Sequence, residues 1–215
     1  MSDVILDSAS EPAIPIHALT ETEAASFLDA ASPLAQGGAR LAEFKGKAGQ
    51  AVTVLSAQGA ADQVLFGLGT SPDAMDFRTL PAKLAAGTYR IAQAPDSIDR
   101  AEAALAFALG SYRFDRYKKR EGERARLVAE GFDAAEVRHL AHACALARDM
   151  VNTPANDMGP LQVETIARDI AEQYGARITV VTGEGLLEAN YPAVHAVGRA
   201  AVAERAPRMI EIAWG

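Results

Sequence analysis

Short apolar runs alternate along this chain with stretches in which hydrophobic residues recur every three or four positions, and that alternation predicts its elements. Residues 4–6 form a brief apolar run, Pro12 and Pro15 follow, and residues 21–34 carry a helical pattern that Gly37-Gly38 breaks. Residues 51–55 and 64–68 are nearly continuous apolar or β-branched runs, the pattern of central strands. From Ser71-Pro72 a helix is predicted through Asp76 to Ala85, kinked or broken at Pro81, and Gly87 leads into a strand at 89–92. In residues 96–112, Ala101, Ala104, Leu105, Ala108 and Leu109 share one helical face, with Asp96 or Ser97 as the cap. A strand at 125–129 follows. Strands alternating with helices over roughly the first 130 residues predict an α/β domain.

A well-specified helix comes next. Asp133 is its capping residue, Glu136 stands three positions on, and Phe132 is placed to staple against Val137. Val137, Leu140, Ala141, Cys144, Ala147 and Val151 recur at helical intervals until Pro154 disfavours helix at Thr153. The helix is about five turns long, a length suited to connecting two domains. Pro160 then opens another helix, with Val163, Ile166, Ala167, Ile170, Ala171 and Tyr174 as its apolar stripe and Gly175 as its end. A strand at 178–181, a short helix near 185–189 and an apolar strand at 208–214 complete the pattern, so a β/α rhythm restarts after the connector. The terminal run reads as a strand buried inside a sheet. A chain stopping on it is expected to be the front part of something longer.

Composition narrows the class. Of the 215 residues, 49% are hydrophobic and 23% charged, as in an ordinary globular protein and unlike a disordered one. A net charge of −7 argues against general affinity for nucleic acid or anionic membrane, both of which need a positive field. No run has the length of a membrane helix, and the acidic N-terminus lacks the basic start of a signal peptide. The single cysteine, Cys144, has no intrachain partner, so a reducing cytoplasm is expected.

Few residues suggest chemistry. His139 and His142 lie three apart on the connector helix, one turn after Glu136, but no third ligand with clear spacing follows, and metal sites need three or four. His17 and His195 are isolated and read as surface or packing residues. Gly67-Leu68-Gly69-Thr70 has the outline of a phosphate-binding turn without the third glycine or the lysine of the stronger motifs, and so reads as a tight turn. Gly183-Glu184-Gly185 is weaker still, because its glutamate repels phosphate. Between positions 113 and 126, Arg113, Arg116, Lys118, Lys119, Arg120, Arg124 and Arg126 outnumber Asp115, Glu121 and Glu123, with Tyr112, Phe114 and Tyr117 interleaved. This is the one local positive patch. It reads as a charge-mixed loop, with a nucleic-acid surface as the alternative. Cys144 reads as a small core residue, and Asn152, Asn156 and Asp157 as turn and cap formers. No residue is assigned a catalytic, cofactor-binding or metal-binding role.

Three ordered segments carry a family resemblance. Gly110-Ser111-Tyr112-Arg113-Phe114-Asp115-Arg116-Tyr117-Lys118 comes first, then Arg148-Asp149-Met150-Val151-Asn152-Thr153-Pro154-Ala155-Asn156-Asp157-Met158-Gly159-Pro160. The third is Ala193-Val194-His195-Ala196-Val197-Gly198-Arg199-Ala200, followed by Pro207-Arg208-Met209-Ile210-Glu211-Ile212. Together they resemble the leucyl (cytosol) aminopeptidases over roughly the second half of the chain. The resemblance implies a macrodomain-like N-terminal α/β domain over residues 1–131, a connector helix over 132–152 and the incomplete start of a catalytic domain over 153–215. It also implies cytoplasmic, homo-oligomeric (hexameric) enzymes that remove N-terminal residues from peptides with two divalent ions, manganese or zinc. The family's lysine and aspartate ligands, in a valine-glycine-lysine-glycine segment leading to phenylalanine-aspartate, do not occur here. Nor does its asparagine-threonine-aspartate-alanine-glutamate-glycine-arginine segment. Phe114-Asp115 and Phe132-Asp133 lack the glycines that would make them substitutes. No metal ligand is carried over, and this chain alone is expected to be inactive. The alternatives are a nucleotide or nucleic-acid binding module and an oligomerisation module.

Overall fold

The computed structural model describes residues 4–119 and 122–215, and the chain divides into two compact units, Met1–Ala147 and Arg148–Gly215. In the first, β1 (Ile5–Leu6), β2 (Ile14–Thr20), β3 (Ala51–Leu55), β4 (Ala61–Gly69), β5 (Gly87–Gln93) and β6 (Ala125–Val128) form one sheet in the order β1-β6-β5-β2-β4-β3. All neighbours are parallel except β3, which runs antiparallel to β4 at the edge. Helices α1 (Glu21–Ala30), α2 (Pro33–Leu41), α3 (Arg100–Gly110) and α4 (Ala134–Asn152) accompany it.

The alternation of side chains along a strand assigns the two faces. Ile16 and Ala18 of β2 and Val64, Phe66 and Leu68 of β4 join Phe77, Tyr89, Phe107, Leu127, Val137 and Ala141 in the larger core. Leu19 and Leu65 point the other way, into a smaller core with Ala24, Ala35, Ala39, Phe44 and Val54. Each fully buried Leu or Phe contributes about 1.5–3 kcal/mol. Phe66 and Phe77 meet edge to face with ring centroids 5.3 Å apart. The alanines of α3 permit the close packing its composition predicts. A Cβ on Gly110 would lie 2.0 Å from the Arg78 carbonyl oxygen, so the end of that helix sits directly on backbone.

β2 was hidden by its prolines. Pro15 lies ahead of the β4 ladder, which begins at Ile16, in the part of a strand that tolerates a missing donor. The helical pattern of residues 21–34 divides at Ser32, which caps α2 ahead of Pro33, and Gly37-Gly38 lies inside that helix. β4 is central as expected, but β3 is an edge strand. The segment from Ser71 to Ala85 forms only 3₁₀ turns, Ala74–Thr79 and Pro81–Lys83. α3 starts at Arg100, capped by Asp99, because the Asp99 carboxylate reaches the Glu102 N–H at 2.9 Å.

On α4, Asp133 accepts from the Ala135 and Glu136 amides, as its pattern predicts. The buried face is Ala134, Val137, Ala141 and Ala145. Cys144 is exposed, contrary to its reading as a core residue, and Leu140 and Val151 are exposed with it, since the helix seats on its small residues.

In the second unit, α5 (Pro160–Tyr174) accompanies a two-stranded antiparallel sheet of β7 (Arg177–Thr182) and β8 (Arg208–Ala213). Short helices α6 (Gly185–Glu188) and α7 (Pro192–Gly198) lie between the strands in sequence, α7 being unforeseen. Gly175 takes φ 64° at the α5 C-cap, the left-handed conformation that favours glycine. Among the described residues the terminal strand pairs with β7 alone, and its positions are half-buried or exposed, where its apolarity predicted full burial.

Candidate functional site

The segment after α4 is fixed by its own backbone and by one arginine. The amides of Asp157 and Met158 both donate to the Pro154 carbonyl, closing the turn at Asn156-Asp157. The Arg205 guanidinium donates to the carbonyls of Ala155 (2.8 Å) and Asn156 (2.6 Å), so a planar fork grips two successive peptide units. The Gln162 side chain accepts from the Gly159 amide at 3.0 Å, and Pro160 occupies the first helical position, where no donor is needed.

Behind that turn lies a charge cluster. Glu164 is 8% exposed and faces inward beside Ala167 and Ala171, so α5 is rotated from its expected stripe and leaves Val163 and Tyr174 exposed. Arg208 of β8 donates to Glu164 at 2.5 Å, and Arg168, one turn along the helix, reaches it at 2.7 Å. The Arg168 hydrogen bond lowers the Glu164 pKa, burial opposes this, and Arg208 adds to the lowering. The Glu164-Arg168 spacing was readable as a helical pair. The reach of Arg208 and Arg205 back to this segment was not, since neither spacing nor pattern links them to it.

Gly198 and Pro207, both in the third family-like segment, pack together so tightly that a Cβ on Gly198 would lie 2.3 Å from the proline ring. His195 meets Glu184 at 3.1 Å. His139 and His142 are exposed on α4, and among the described residues no group of three His, Cys, Asp or Glu side chains is disposed to hold a metal ion. His17 packs within β2, its ring 4.7 Å from Phe27 and its Nδ1 3.4 Å from the Gln93 side chain. Burial lowers its pKa; the Gln93 hydrogen bond opposes this and Arg90 reinforces it.

The Gly67-Leu68-Gly69-Thr70 turn is filled by the protein itself. Gly67 donates to Gln50, Gly49 donates to Gly67, and Gly69 donates to Gly46. A Cβ on Gly67 would lie 2.2 Å from the Lys47 carbonyl oxygen. Both glycines serve the passage of residues 46–50 over β4, and their amides are spent on that loop.

The basic segment is partly compensated. Arg124 pairs with Asp115 at 3.1 Å, Arg116 lies over the Tyr117 ring at 5.9 Å, and Phe114 meets Tyr117 edge-on. The other oxygen of Asp115, Oδ1, is buried without a hydrogen-bond partner among the described residues. Arg120 and Glu121 lie outside the described residues. Arg113 and Arg124 are among the residues lining a cavity of about 320 Å³ between the end of α3, the start of β6 and the turn before β5.

A parallel-dominated α/β domain followed in the chain by one long helix and a second, smaller α/β unit is the architecture in which these residues are set. The chain belongs to the M17 (cytosol) aminopeptidase family. The family's N-terminal domain matches residues 14–130, and the catalytic domain of the cytosol aminopeptidase family matches residues 145–215. Over 186 residues the chain is 30% identical to a "Probable cytosol aminopeptidase" of Streptomyces avermitilis, covering 79% of this chain and 33% of the relative. With the corresponding protein of Corynebacterium diphtheriae it shares 26% over 189 residues, 79% of this chain and 37% of the other. The crystal structure of cytosol aminopeptidase from Coxiella burnetii matches with a TM-score of 0.86 at 31% identity, over 99% of this chain and 46% of that one. The bottromycin maturation enzyme BotP, also solved with Mn, matches with a TM-score of 0.72 at 27% identity, over 94% of this chain and 46% of that one. The chain thus spans between a third and a half of these proteins. No helix among the described residues is long and apolar enough to cross a membrane.

Proposed function

We propose that this chain supplies the N-terminal α/β domain and the opening of the catalytic domain of a cytoplasmic aminopeptidase that removes N-terminal residues from peptides. The observation that carries the reading is the ordered match of both family domains, residues 14–130 then 145–215, on a fold shared over 99% of the chain with a cytosol aminopeptidase. The proposed division is an N-terminal domain over 1–131, a connector helix over 132–152 and catalytic-domain residues over 153–215. The change of compact unit within α4 supports that role for the helix.

The reading includes two divalent ions, manganese or zinc, which in such chemistry activate water and polarise the scissile carbonyl, and a homo-oligomeric, hexameric assembly. The described residues do not fit that metal pair, because they present no three-ligand cluster. The reading assigns no catalytic, cofactor or metal residue to this chain, and its 215 residues alone are proposed to lack peptidase activity. What they contribute is a positioned backbone: the turn held by Arg205 and the α5-β8 pair locked by Glu164 and Arg208.

Hydrolysis of a leucine anilide tests this, with manganese or zinc added and a chelator control. The expected result is no chelator-sensitive turnover by the 215-residue chain, and metal-dependent turnover when the same residues stand in a chain of the relatives' length. Chelator-sensitive turnover by the short chain would overturn its proposed inactivity. A silent longer chain, folded and metal-loaded, would overturn the peptidase reading.

A further inference from the structure

We infer that the cavity at the end of α3 is a binding site for a free α-amino acid with an apolar side chain. The choice of ligand rests on the peptidase reading above, since such amino acids are the products of that reaction.

The cavity, about 320 Å³, lies wholly within the first unit and is polar at some walls and apolar at others. Two arginines line it, Arg113 and Arg124. Arg124 is oriented by its 3.1 Å pair with Asp115. Arg113 is half-buried and has no ion pair or hydrogen bond among the described residues, which leaves its fork available for a carboxylate. The opposite charge is present too. Glu123 lines the same cavity, and so do Gly110 and Ser111 at the C-terminal end of α3, where the helix dipole places partial negative charge. Leu84 and Ala86 contribute apolar wall.

A simple anion would satisfy the arginines and meet an unfavourable carboxylate at Glu123. A zwitterion satisfies both: its carboxylate pairs with Arg113 and Arg124, its ammonium with Glu123, and its side chain covers Leu84 and Ala86. Charge complementarity of both signs selects amino acids over phosphates or cations.

Calorimetric titration of the 215-residue chain with leucine tests the site, with leucinamide, N-acetylleucine and inorganic phosphate as probes. Saturable leucine binding is expected, weakened at least about tenfold by removing either charge from the ligand. Arg113→Gln and Glu123→Gln should each weaken leucine binding by a similar factor while leaving the thermal midpoint within about a degree, since both side chains reach solvent. Arg113→Gln should weaken N-acetylleucine binding further, and Glu123→Gln should not, which separates a bound carboxylate from general loss of structure. Absence of saturable leucine binding, leucine binding indifferent to both substitutions, or phosphate binding tighter than leucine would each overturn the inference. The titration requires no turnover, so its failure leaves the peptidase reading to the anilide assay.

Discussion

Arg208→Met isolates what holds the second unit together. Glu164 and Arg208 are 11% and 8% exposed at their side chains and 2.5 Å apart, joining α5 to β8. The buried apolar residues of this unit are only Ala167, Ala171 and Leu186 among those described, so the ion pair carries more of the fold than such a pair does in a large core. Removing one partner of a buried pair costs about 3–5 kcal/mol. Arg168 remains on Glu164 at 2.7 Å and keeps part of its compensation, which brings the expected loss to about 2 kcal/mol, a rise of about 30-fold in local opening. Glu164→Leu leaves Arg208 buried without its partner and should cost about 3 kcal/mol. The double variant removes both charges and should return to within about 1 kcal/mol of the parent, because apolar replacement of a whole pair is close to neutral. Hydrogen exchange of peptides covering α5 and β8 reads this opening directly, and Trp214, the chain's single tryptophan, gives a fluorescence signal beside β8. A double variant as destabilised as the sum of the singles would refute the reasoning, since the two side chains would then act independently.

Other perturbations have definite signs. His17 has a pKa below its ordinary value of 6.5, so its contribution to stability is complete above that value and lost as pH falls through the lower folded pKa; His17→Gln should reduce the loss of thermal stability between about pH 7 and pH 5, and an unchanged pH dependence would contradict it. Gly37→Ala should stabilise by about 0.8–1 kcal/mol in denaturant melts, because Gly37 is within a helix and its added Cβ meets nothing within 4 Å. Gly110→Ala should destabilise by about 3 kcal/mol, as its Cβ would strike the Arg78 carbonyl. Cys144 is exposed, and should react with a disulfide reagent in the native protein as completely as in denaturant; protection would place it back in a core.

Much of the architecture was legible where a pattern is local. The cap at Asp133, the helix-opening Pro160, the glycine at 175 and the strands at β4, β5 and β6 all follow from residues within a few positions of one another. Failures arose where tertiary contacts outweighed local signals. Pro12 and Pro15 masked β2, which lies in the middle of the sheet, because a proline at a strand's beginning looks the same in sequence as one in a loop. Gly37-Gly38 looked like a break, yet α2 seats its Ala35 and Ala39 in the smaller core. On α4 and α5 the periodicity was right and the buried face was not. Ala134 and Ala145 displaced Leu140 and Cys144, and Glu164 entered the interior because Arg208, 44 residues away, waits for it there. The site showed the same division. The segment at Asn152 to Pro160 was visible as a family-like motif, whereas the Arg205 fork that holds it belongs to no local pattern.

The position of β1 has a consequence for how the domain is made. Its residues Ile5 and Leu6 pair with Leu127 and Val128 of β6, and Arg138 of α4 seals the arrangement by donating to the Ile5 carbonyl and pairing with Asp7. Residues 5 and 6 therefore leave the ribosome well ahead of the strand they pair with, which lies some 120 positions behind them. At synthesis rates of about 5–20 residues per second, that wait is on the order of ten seconds. During it β5 lacks its β6 neighbour, and Val4 and Ile5 lack the core that later buries them. Nascent chains of this protein are thus exposed at the sheet edge until α4 emerges, and a bulky group fused directly ahead of β1 would burden this late pairing.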